Sequence, residues 1–165
     1  MSKRRTIRRL LTVSTISLAA AVPALAQDVT VTGITAGEGY TISVPSVTAT
    51  ASTLTEADIR RLFTGEFSTV AGNLATLDAG EVTIPEITVS YDIPAADGMP
   101  AQQSVVTYKD FRLSDVVDGV TAEAMVGETV IQSGDLLTMT FGPMRAEALD
   151  IGALLAFYGM ASPST

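Results

Sequence analysis

The sequence predicts an α+β protein that is mainly β: a bent antiparallel sheet of about six or seven strands, with two or three short helices on one face. Three observations predict it. Apolar residues alternate over long stretches, as one face of a strand requires. The alternation slips by one residue at Pro45, at Pro85 and at Gly142-Pro143. Two of the strand-like stretches run into a capping residue and a short apolar stripe at helical spacing.

Residues 1–26 read as a processing segment. Lys3, Arg4, Arg5, Arg8 and Arg9 precede an apolar stretch from Leu10 to Pro23, and Ala24-Leu25-Ala26 fits an A-x-A cleavage site. That order is the pattern of a secretory signal peptide. The stretch is shorter than the ~20 apolar residues that span a bilayer, so no transmembrane anchor is expected after cleavage. Arg4-Arg5-Thr6-Ile7 is only loosely like a twin-arginine signal, and the general secretory route is the expectation. The expected mature chain holds a single β-rich domain over residues 27–160 and a loose tail over 161–165.

The strands follow in order. In YTISVPSVTATA, Ile42 and Val44 are even-numbered and Val47, Ala49 and Ala51 odd, with the change of phase at Pro45-Ser46. In GEVTIPEITVSYDIP, Val82 and Ile84 are followed by Ile87, Val89 and Tyr91, with the change at Pro85-Glu86. A proline-free version runs from Val106 and Tyr108 to Phe111 and Leu113. Leu137, Met139 and Phe141 lead through Gly142-Pro143 to Met144, Ala146 and Ala148. Proline cannot donate to a ladder and is tolerated at bulges. The expectation is therefore a β-bulge at each slip, one extra residue that keeps both halves of the strand on one face.

Between the strands, Thr55 with Asp58 three residues on suggests a capped helix carrying Ile59, Leu62 and Phe63 and ending at Gly65. Asp150 suggests a second cap, for Ile151 to Tyr158, closed by Gly159. Ser68 to Leu77 is mixed and mildly helical, and residues 95–103 form a loop. Asp118-Gly119 between apolar runs signals a tight hairpin. Ser133-Gly134-Asp135 repeats that signal.

The chain has no Cys and no His, and after residue 26 it carries five basic residues against 18 acids, a net charge of −13. Disulfides are excluded, as are the commonest general base and metal ligand. The acid surplus argues against nucleic acid as a partner, which needs a cationic surface. Lys109 is the one lysine after residue 26 and has no Ser-x-x-Lys partner, so a Ser-Lys dyad is not expected. Asp115, Asp118 and Glu123 imitate a calcium loop, but Val116 and Val117 interrupt the ligands and glycine falls at the fifth position, which reads as a turn. Gly37-Glu38-Gly39 lacks the strand-to-helix setting of a phosphate cradle. Aromatic girdles for a membrane barrel and aromatic platforms for sugars are scarce, with no Trp, four Tyr and five Phe.

No catalytic, cofactor-binding or metal-binding residue is therefore singled out, and no enzymatic activity and no cofactor are expected. The expected function is that of an exported periplasmic or envelope protein binding a lipid or other apolar ligand on its sheet face. The alternative is a structural or interaction module, one unit of a larger envelope protein, whose partner is another envelope protein. Long kinked strands followed by a helix resemble, as architecture alone, bacterial envelope proteins with lipid-binding sheets such as the AsmA-like group. What separates the two functions is whether the helices cover the apolar sheet face.

Overall fold

A computed structural model describes residues 26–65, 67–95, 101–134 and 137–157. The expected signal peptide, the middle of the 95–103 loop, the cap at Gly159 and the expected tail lie outside the described residues. The protein is mainly β, an open antiparallel sheet with three short helices. The elements are β1 (Gln27–Ala36), β2 (Tyr40–Ser52), α1 (Glu56–Thr64), α2 (Phe67–Ala75), β3 (Ala79–Ile93), β4 (Gln102–Val117), β5 (Val120–Val126), β6 (Glu128–Ser133), β7 (Leu137–Phe141), β8 (Met144–Asp150) and α3 (Ile151–Phe157). Eight strands replace the expected six or seven. The added segments arise because β5 and β6, and likewise β7 and β8, are one chain pass interrupted at Gly127 and at Gly142-Pro143.

The sheet runs β1-β2-β3-β4, and there it forks. The last residues of β4, Arg112 to Val117, pair with β5, and β5 pairs with β8. The first, Ser104 to Lys109, pair with β6, and β6 pairs with β7. The fork is a local gap around Asp110 (φ 54°) and Gly127, where the Gly127 N–H still donates to the Lys109 carbonyl at 2.9 Å.

Each strand does slip its apolar phase, but Pro85 is not the extra residue of a bulge. Ile84 pairs with Phe111 and Glu86 with Lys109, so Pro85 and Asp110 face one another one to one. On the other side Ser43 pairs with Thr88 and Thr48 with Thr83, which leaves the same number of residues on both strands. A bulge sets two residues against one, and no such excess exists here. All the strands slip together instead. Gly33 (φ 65°) falls opposite Pro45, between the pairs Thr32/Ser46 and Ile34/Val44. Between β2 and β3 the line steps by one residue, since Pro85 falls opposite Ser46, and it continues through Asp110 and Gly127 to Pro143. It is a crease running across the sheet.

A second crease lies further toward the helices, five residues on along β3, β4, β5 and β8 and six along β2. It passes through Ala51 (φ 47°), Gly80, Asp115 (φ 50°), Ala122 and Ala148 (φ 51°). The inner ladders again resume without a shift, from Glu81/Ser114 to Ala79/Val116 and from Glu123/Glu147 to Thr121/Leu149, whereas β1 and β2 shift by one residue there, Thr50 and Ala51 standing against Asp28 between Val29/Ala49 and Gln27/Ser52. Positive φ is uncommon for residues other than glycine; here Asp115 and Ala148 re-aim their strands without lengthening them, while Ala51 is the extra residue of a bulge against the edge strand β1. The two creases divide the sheet into a proximal, a middle and a distal panel.

The core follows from this. Val31 and Ile34, Val44 and Val47, and Ala49 and Ser52 are each three apart, flank a crease and are buried. All three helices attach at the proximal end: α1 follows β2, α2 precedes β3 and α3 follows β8. They fold back so that Leu54, Ile59, Leu77 and Ile151 join one hydrophobic cluster with Ile84, Leu113 and Val116 of the sheet. The outer face is threonine-rich, with Thr48 opposite Thr83 and Thr88 opposite Thr107.

Candidate functional site

Between the helices and the sheet lies a cavity of about 320 Å³. Its floor is Val82, Ile84, Phe111 and Leu113 of β3 and β4, and Ile87 from beyond the first crease. Its roof is Ile59, Leu62 and Phe63 of α1, Leu74 of α2 and Leu154 of α3. Ser52 is the one polar residue among the described lining. It is fully buried, and its Oγ accepts a hydrogen bond from the Leu54 N–H at 3.0 Å.

The roof is held by local chemistry that the sequence specifies. Thr55 caps α1: its Oγ1 accepts from the Asp58 N–H at 3.3 Å, while Asp58 Oδ2 accepts from the Thr55 N–H at 3.1 Å and from its hydroxyl at 2.6 Å. These bonds satisfy backbone donors that have no partner within the helix. The Thr55 hydroxyl and N–H, with Arg61 behind them, hold the Asp58 carboxyl below its ordinary value. At the other end of α1 the Gly65 N–H donates to the Arg61 carbonyl at 2.7 Å. Asp150 Oδ1 accepts from the Ala153 N–H at 2.8 Å, which starts α3.

One turn ties the end of the α2 segment and the start of α3 to the sheet. Asp118 (φ 48°) and Gly119 (φ 71°) make the tight hairpin between β4 and β5. The Gly119 N–H donates to the Leu77 carbonyl, and its carbonyl accepts from the Ile151 N–H, both at 3.0 Å. The Asp118 N–H donates to Asp78 Oδ1 at 2.8 Å. Asp118 thus serves the turn, Asp115 sits on the second crease and Glu123 pairs with Arg145 at 2.8 Å. Among the described residues no three of His, Cys, Asp or Glu come together as a metal site. Gly37-Glu38-Gly39 connects β1 to β2 with no helix after it.

Every cation after residue 26 is paired. Arg60 meets Glu56 at 2.9 Å, Arg61 meets Asp58 at 3.2 Å and Arg112 meets Glu81 at 3.1 Å. Lys109 Nζ lies 2.7 Å from Glu128 Oε1, and the bond to that carboxylate raises the ammonium above its ordinary value. Lys109 stands on the threonine-rich outer face, away from the cavity. None of the five cations lines the cavity.

The apolar face continues past the first crease. One complete row of paired residues crosses the distal panel as Ala36, Ile42, Val89, Val106, Ile131 and Met139. The row beside it starts with Tyr40 and Tyr91 and ends at Leu137. The helices pack mainly on β1, β5 and β8, and Tyr40, Tyr91, Leu137, Met139 and Phe141 are exposed. Within this face Thr129 is buried, and its Oγ1 has no hydrogen-bond partner. Among the described residues no helix is long and apolar enough to cross a membrane.

The sequence pattern marks Ile84, Ile87, Ile59, Leu62 and Phe63 as apolar-face residues but carries nothing that brings them to one cavity. It left out Ser52, Leu74 and Leu77. The segment holding Leu74 and Leu77 showed only weak helical spacing, and Ser52 carried no signal at all. Compared with protein-family models, with curated proteins and with solved structures, the chain matches none.

Proposed function

We propose that this is a non-enzymatic exported protein of the periplasm or cell envelope that holds a lipid or other apolar ligand between its helices and its sheet. The cavity of about 320 Å³ with its apolar lining carries this reading. Apolar pockets with few polar groups suit such ligands, and an unfilled core cavity costs stability in proportion to its volume. Native mass spectrometry of protein purified from a periplasmic extract tests it. A co-purified mass in the lipid range is expected, and a uniformly ligand-free protein overturns the reading. Export rests on residues 1–26, and the exported form is expected to begin at Gln27. A periplasmic form that retains its first residues would count against cleavage.

A second reading is favoured by the edge formed by β7 and β8, each of which pairs on one side only among the described residues. Leu137, Phe141 and Met144 are 47%, 46% and 48% exposed there. Unpaired edge strands with apolar side chains are templates for another strand. On this reading the protein is an interaction module, one unit of a larger envelope assembly. Light scattering of the exported protein before and after Met139→Lys separates the readings: loss of a complex supports assembly, and a monomer in both cases removes it.

A further inference from the structure

Resting on the lipid-binding reading, we infer that the site takes a long-chain amphiphile whose head group is uncharged, and that it discriminates against the same chain bearing a carboxylate. The tail enters the apolar cavity. The cavity lining is apolar except for Ser52, whose Oγ is already engaged by the Leu54 N–H. A head group buried there would lose its hydration without gaining partners, which is costly for a polar group and far more so for a charged one. The head therefore points out of the cavity, past Ile87 and along the apolar row of the distal panel.

That path offers an anion nothing. The five cations after residue 26 are each held by a carboxylate at 2.7 to 3.2 Å. Arg112 and Arg145 project from the outer face of the sheet, Lys109 beside them, and Arg60 and Arg61 lie along α1. Drawing any of them to the site would leave its acidic partner unpaired. The residues from 27 onward also carry a net charge of −13, whose summed field repels anions and lowers their local concentration. The apolar row carries no carboxylate either, so nothing on it demands a cationic head. Tyr40 and Tyr91, side by side at the far end of the face, are 47% and 42% exposed and offer hydroxyls to an uncharged polar head.

The test uses two probes of equal length on the exported protein beginning at Gln27: a pyrene-labelled long-chain alcohol and the matching carboxylic acid, each below its aggregation limit. Titration at pH 8 is expected to show the alcohol binding at least about ten-fold more tightly, the scale of one uncompensated charge near a partly desolvated site. Lowering the pH until the acid is protonated is expected to close the gap. Equal or tighter binding of the carboxylate at pH 8 overturns the inference and leaves lipid binding standing. Binding of neither probe, with no co-purified lipid, overturns both.

Discussion

Ile84 and Ile87 lie on the same side of β3, both lining one cavity, although they are three positions apart. On a regular strand that spacing puts two side chains on opposite faces. The crease at Pro85 reconciles the two facts, and β2 and β4 slip in step with it. Deleting Pro85 therefore does not straighten one strand harmlessly. It shifts half of β3 by one residue against both neighbours, which keep their own slips, and a shift of one turns side chains to the wrong face. The deletion variant is expected to be unfolded in a denaturant titration. Pro85→Ala keeps the residue count and is expected to cost about 1 kcal/mol or less, since only the restriction of the unfolded chain is lost. A deletion variant as stable as Pro85→Ala would restore the bulge.

Ala148 sits in the left-handed region at φ 51° on the exposed edge strand β8. That conformation costs a residue with a Cβ about 1–2 kcal/mol. Ala148→Gly relieves it, less the greater freedom glycine gives the unfolded chain, so a net gain of about 0.5 kcal/mol is expected. Ala148→Val adds a branched side chain at the same φ and is expected to lower the thermal midpoint clearly. Opposite shifts of the two variants, read by calorimetry, identify strain at the second crease.

Gly119 has no such latitude. A Cβ there would stand 2.6 Å from the Ala75 carbonyl oxygen, and φ is +71°. Gly119→Ala forces the end of α2 away from the hairpin and disturbs the bonds to Leu77 and Ile151. A loss of about 2–4 kcal/mol is expected, with faster hydrogen exchange at the Ile151 amide.

Thr129 is 5% exposed, with a hydroxyl that finds no partner. A buried polar group left unsatisfied costs about 1–3 kcal/mol. Thr129→Val keeps the shape and removes the hydroxyl, so a gain of about 1 kcal/mol is expected in urea titrations. A loss of stability would mean that the hydroxyl is satisfied in solution.

The cap of α1 gives a pH signature. The folded state holds Asp58 below its ordinary value of 3.8, chiefly through the Thr55 hydroxyl and N–H. A lowered carboxyl stabilises the fold above its unfolded pKa, and that contribution disappears as pH falls through the folded value. Thr55→Ala is expected to cost about 1 kcal/mol at neutral pH. The gap between variant and parent should narrow as the pH drops below 3.8. A gap that is constant with pH would detach the cap from the Asp58 charge.

Much of this architecture was legible in the sequence because its signals are local. Thr55 with Asp58, Asp150, Gly65 and Asp118-Gly119 each act within a few residues, and each is found in its expected role. The slips at Pro45, Pro85 and Pro143 were legible because a proline marks them. The second crease was not, since Ala51, Asp115 and Ala148 are ordinary residues whose left-handed φ is imposed by the sheet around them. Nor could one strand reveal that its slip is matched by its neighbours, because register belongs to pairs of strands. The cavity depends on how far α1 stands off β3, a distance that Leu62 and Phe63 do not encode locally.

The matched creases also constrain how such a protein can change over evolutionary time. A residue gained or lost within a strand paired on both sides cannot be absorbed there, because both registers reject it; the edge strand β1 does absorb one, opposite Ala51. Insertions must collect in the connections, or arrive in all the strands at once. Descendants of this sequence should keep the interval between the two crease lines, five residues on most strands and six on β2, while their loops vary freely, and that interval is a lasting fingerprint by which distant kin could be recognised.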